Sequence, residues 1–174
     1  MGYEKTIVGL MLVTSICLGC DKDDDDDGNN VNATDQHFVL MASIANTAEI
    51  DAATLAESKA TDEGILDFAD MMLNDHGMAK SELKGIADDL NLAAPDSLDA
   101  EHVALKALLM SLNGREFDSV YIHSQVKDHE KAIALFNTEV QSGRHQRLRD
   151  FATAQLPHLQ KHLNKAGSLA NKYK

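Results

Sequence analysis

The feature that most constrains this chain is the spacing of its apolar residues. From residue 34 onward they recur by threes and fours, the period of a helix with one buried face. Ile65, Phe68, Met72, Ala79, Leu83, Ile86 and Leu90 form one such stripe, Ile122, Val126, Ile133, Phe136 and Val140 a second. Leu148, Ala152, Leu159 and Leu169 form a third, and Phe38, Met41, Ala45, Ala48, Ala52 and Leu55 a small-residue face. Only two prolines and ten glycines punctuate 174 residues, so long helices are permitted.

Breaks divide the pattern. Thr34 reads as the N-cap of a helix reaching about Ala60, and Thr61 or Asp62 caps a second to about Asn91. Ala93-Ala94-Pro95-Asp96 interrupts, and Ser97 to Leu112 is a shorter connecting helix ended by Asn113-Gly114. A long helix from about Arg115 to Gln141 turns at Ser142-Gly143 into a last one from about Arg144 to Asn171. The expected fold is all-α: a ferritin-like four-helix bundle of two antiparallel hairpins with a short connecting helix, over residues 34–174.

Five polar positions interrupt or edge the stripes. His76 and His129 stand where leucine is expected, His158 and His162 lie in the last helix, and Glu49 edges the alanine face of the first. At about 1.5 Å rise per residue, all fall near mid-height of the helices. Buried polar groups need partners: each other, water or a metal. Glu49, His76, His129 and His162 are therefore the candidate metal ligands, a mixed imidazole and carboxylate set that suits a divalent ion such as zinc or iron. Asp75, Asp118, Tyr121 and Asp128 are candidates for a supporting layer. The alternative is a set of core histidines satisfied by Glu49, Tyr121 or Gln155. His102, His37 and His145 read as surface residues, and Met71, Met72 and Met78 as packing. No serine sits in a nucleophile motif and no glycine loop suits a phosphate, so a non-enzymatic role is expected more than a catalytic one. A net charge of −12 argues against nucleic-acid partners.

The first residues read as an address. Lys5 precedes an apolar run from Ile7 to Leu18, too short for a comfortable membrane span but suited to a signal peptide over residues 1–19. It ends in Cys17-Leu18-Gly19-Cys20, which resembles the lipobox of bacterial lipoproteins, with Cys17 where that class usually has leucine. The resemblance implies lipid on Cys20 and attachment to an envelope membrane. The alternatives are an ordinary signal peptide or an uncleaved anchor. Both cysteines lie in this segment, so no disulfide is expected in the folded part. Asp21-Lys22 and the aspartates to Asp27 read as an acidic tether, within a segment spanning residues 20–33. A lysine and acidic residues after such a cysteine look like the surface-export signal of Bacteroidetes lipoproteins, which leaves periplasmic and surface-exposed placements open.

Asp75-His76, Phe117-Asp118-x-x-Tyr121, Asp128-His129 and Leu156-Pro157 with His162 occur in order. The set resembles a bacterial family of uncharacterised ferritin-like helical domains, often labelled predicted outer-membrane proteins, over about residues 35–171. The resemblance implies a four-helix bundle at the outer membrane, favours His162 over His158 as the inward histidine, and places a proline kink before it. It implies no reaction. The Glu-x-x-His of di-iron proteins is missing from the long helices, where Leu73, Val126 and Leu159 stand three residues before the histidines, so ferroxidase chemistry is not expected.

Overall fold

The structure is a computed structural model that describes residues 1–2 and 30–174. The expected signal peptide, Cys20 and the acidic run through Asp27 therefore lie outside the described residues, apart from Met1 and Gly2. Five α-helices and a terminal 3-10 turn account for the fold, with no strand among the described residues: α1 Ala33–Lys59, α2 Glu63–Asp89, α3 Ala100–Ser111, α4 Gly114–Ser142 and α5 Gln146–Ala170. α1 packs on α2 and α4 on α5, while α1 also meets α4 and α2 meets α5. The short α3 lies against α1 and α4.

The helix boundaries follow capping chemistry. α1 begins earlier than its composition suggests, because Asn32 and Asp35 form a reciprocal capping box. Thr34 is inside the helix. Asp62 caps α2 by accepting from the Gly64 amide, and Asn91 ends it in the left-handed region at φ 55°. α3 starts at Ala100, not Ser97, because Asp99 accepts from the His102 amide. α5 continues as helix through Pro157, which lies on its exposed side.

Each hairpin turn is tied down by a buried carboxylate from the other hairpin. Asp35 of α1 accepts from the Arg144 and His145 amides at the α4–α5 turn, both at 3.0 Å. Asp118 of α4 accepts from the Thr61 amide (3.0 Å), the Thr61 hydroxyl (2.6 Å) and the Asp62 amide (3.1 Å) at the α1–α2 turn. The same sequence interval separates Asn46 from His129, Ile65 from Leu148, Phe68 from Phe151 and Ile86 from Leu169, all buried. The two hairpins are thus built to one internal plan.

The interior has three tiers. One apolar cluster, including Ala56, Phe68, Met72, Phe117, Tyr121 and Ile122, fills the end near the α1–α2 turn. Another, including Phe38, Leu83, Phe136, Leu148 and Phe151, fills the opposite end, where Phe38 and Phe136 meet edge to face at 4.9 Å. Between them lie Ser43, Asn46, Glu49, His76, Gln125, His129 and His162, all buried. His145, expected at the surface, is instead 2% exposed, because Asp35 draws the turn inward and its ring with it.

Candidate metal centre

α2, α4 and α5 each carry one histidine into the middle tier. The ring centroids of His76 and His129 are 5.6 Å apart, and each lies 5.4 Å from that of His162. One ring nitrogen from each residue lies within 4.8 Å of the others. His158, by contrast, is exposed.

Every ring is oriented by a bond on one side. His76 Nδ1 donates to Asn46 Oδ1 at 2.9 Å, His129 Nδ1 to the Gln125 carbonyl at 2.8 Å, and His162 Nε2 to Asp75 Oδ2 at 2.9 Å. All three partners are acceptors, so the protons sit on those nitrogens. The remaining nitrogens, His76 Nε2, His129 Nε2 and His162 Nδ1, are lone-pair bearers. All are buried without a hydrogen-bond partner among the described residues. Such orphaned acceptors are costly in an apolar interior. The rings are also held neutral. Burial, then the neighbouring imidazoles, push His76 well below the usual histidine range. Burial lowers His129, and it lowers His162 to about 4 against the pull of Asp75.

This donor set fits a small divalent ion. Three neutral imidazoles, each fixed through its other nitrogen, are the arrangement found around protein-bound zinc. A tetrahedral ion with bonds of about 2.0–2.1 Å would need ligand nitrogens roughly 3.3 Å apart, against a separation of up to 4.8 Å here.

Of the other candidates, Asp75 is brought into contact through His162. Burial alone would raise its carboxyl, but the bonds from His162 and Asn74 prevail and hold it below the usual range. Glu49, expected as a ligand, does not join the three histidines. Its Oε1 lies 3.6 Å from His129 Nδ1, the nitrogen that bonds the Gln125 carbonyl. Burial and the Asp128 carboxylate push Glu49 up to about 8. Tyr121 is buried with its hydroxyl unpartnered among the described residues, and burial together with Glu49 raises its phenol. Asp118, expected to support the ligands, is spent on the α1–α2 turn. Asp128 is half-buried at the edge, 3.4 Å from Lys131 and 3.9 Å from His102 Nε2.

His102 is not the surface residue expected from its short helix. α3 lies across α1 and α4, so the ring is trapped, bonded to Asp99 Oδ1 at 2.7 Å. It lines a cavity of about 300 Å³ that reaches inward to Glu49, His76 and His129. Asn46, whose side chain positions one ring, and Gln125, whose backbone carbonyl positions another, were not legible in those roles. The available signals were a lone amide in an alanine face and a glutamine one turn before His129.

The comparisons with known proteins agree with this architecture. A crystal structure of a DUF305 fragment from Deinococcus radiodurans is similar in fold, with a TM-score of 0.73, 10% identity, and coverage of 82% of this chain and 98% of the fragment. No curated protein matches the sequence. Residues 22–169 match the family described as Domain of unknown function (DUF4142), and the chain belongs to that family.

Proposed function

We propose that this protein is a lipid-anchored domain of the bacterial envelope, a ferritin-like four-helix bundle that binds one divalent metal, such as zinc or iron, through His76, His129 and His162. The observation that carries the metal reading is the trio of buried lone-pair nitrogens. Each belongs to a ring fixed through its other nitrogen, and the three residues each bring one ring nitrogen within 4.8 Å of the others. A metal satisfies all three acceptors at once, and no side-chain donor among the described residues does so. The anchor is supported by the apolar run ending at Cys20 and the acidic residues that follow. Placement at the outer membrane follows from the anchor and from the resemblance.

The test is metal analysis of the purified full chain by mass spectrometry, with thermal melting as a second readout. One ion per chain and a melting point raised by added zinc are expected, and both should vanish in His129→Ala. A metal-free chain whose melting ignores zinc and iron would sink the proposal. The rival reading is a metal-free envelope interaction module. It draws on α3, whose Val103, Leu108 and Met110 are exposed at 55%, 47% and 58%.

A further inference from the structure

We propose that the cavity beside the histidines is a chamber for a small, mostly apolar ligand carrying one lone-pair donor, which takes the open position on the metal. The inference rests on the metal reading above. Three protein ligands leave a tetrahedral divalent ion one position short, the arrangement that distinguishes reactive or exchangeable sites from closed structural ones. The fourth long helix supplies no ligand. Where α4 carries His129, the equivalent position of α1 carries Asn46, whose Oδ1 is occupied in holding His76 and whose Nδ2 is a donor that cannot ligate a metal. On either side of it α1 presents Ala42, Ala45 and Glu49, and these open into the cavity of about 300 Å³.

The walls specify the ligand's body. Met41, Ala45, Ala132, Leu135, Phe136 and Leu159 line the chamber, and His76 and His129 close its inner end. The volume is at the small end of ligand pockets, and the apolar lining with a few convergent polar groups is their usual composition. The rim is acidic, with three carboxylates beside one lysine: Asp99 is bonded to His102 at 2.7 Å, Glu101 to Lys131 at 2.9 Å, and Lys131 reaches Asp128 at 3.4 Å. That rim disfavours an anionic body, and affinity comes from apolar contact and from the single bond to the metal.

The experiment loads the full chain, in detergent, with Co²⁺ and follows the visible absorption of the ion during titration with imidazole and with 4-phenylimidazole. Both probes carry the same donor, and they differ in apolar body. Binding of 4-phenylimidazole is expected at concentrations at least about tenfold lower, because its ring is buried against the walls. Ala45→Phe, which fills the chamber, is expected to keep the Co²⁺ spectrum and lose that advantage, and Ala132→Leu to reduce it. Equal affinity for the two probes, or undiminished binding of 4-phenylimidazole in both variants, overturns the chamber and leaves the metal site standing. A chain that takes up no Co²⁺ overturns both.

Discussion

An imidazole with a buried, unpartnered lone pair stabilises nothing until something binds it. In the metal-free chain, His129→Leu is therefore expected to raise stability by about 1 kcal/mol, since an orphaned acceptor is exchanged for apolar contact. The same substitution is expected to abolish the proposed metal binding. Thermal melting with and without zinc separates the two effects. Asp75→Asn removes the charge behind His162 while keeping its shape, and metal affinity is expected to fall by about 10- to 100-fold, measured by competition with a chelator. Glu139 is a different kind of residue. It is buried at the α4–α5 turn, packed so closely on Gly143 that an added Cβ there would stand 2.2 Å from its Oε1. Burial, then the neighbouring Asp35, push its carboxyl up to about 8, with Arg149 opposing. The folded state therefore holds a proton there that the unfolded chain releases near its ordinary value of 4.5. That stabilisation is complete below about pH 4.5 and is lost as the pH rises through 8, a change of up to about 5 kcal/mol. Urea unfolding at pH 5 and pH 9 should show a smaller loss in Glu139→Gln than in the native sequence, because Glu49, raised likewise to about 8, still contributes its own share.

At the level of elements, the helices are set by caps and the hairpins by carboxylates borrowed across the molecule. Asp118 accepts from both amides and the hydroxyl of the α1–α2 turn. Asp118→Ala leaves those buried donors unpaired, and a loss of about 2–4 kcal/mol is expected in denaturant unfolding. A loss below about 0.5 kcal/mol would show that the turn is held by its own chemistry. The stripes and most boundaries are legible in the sequence because helical periodicity and N-cap chemistry are local. Asn32 escaped notice as a cap because Thr34 offered a similar signal two residues on. The role of Asp118 was illegible for another reason. Its partners lie on the far hairpin, and a Phe-Asp-x-x-Tyr string looks the same whether the carboxylate faces a histidine or a turn.

For the whole molecule, two hairpins of common plan bury two apolar ends and leave a polar tier between them. That division explains how a chain can hold three histidines in its interior: the flanking clusters supply the stability, and the middle tier is free for binding. The proposed anchor makes a prediction at this scale. Cys20→Ser is expected to move the protein from the membrane to the soluble fraction, and a variant still pelleting with membranes would refute lipid on that residue. Protease treatment of intact cells separates surface exposure, where the domain is cleaved, from a periplasmic face, where it is protected.

By itself the sequence determined that the chain is helical, where the helices turn, and that polar side chains interrupt the stripes near mid-height. Those properties depend on spacing along one chain, and spacing is local. Only the tertiary structure decided which polar groups meet. A ring nitrogen's direction depends on how each helix is rotated and shifted against its neighbours, and that is set by distant contacts such as Phe38 on Phe136 and Asp35 on the α4–α5 turn. The same packing set Glu49 against the bonded nitrogen of His129 instead of among the three converging histidines, turned His102 and His145 inward, and opened beside the alanines of α1 a space that no periodicity encodes.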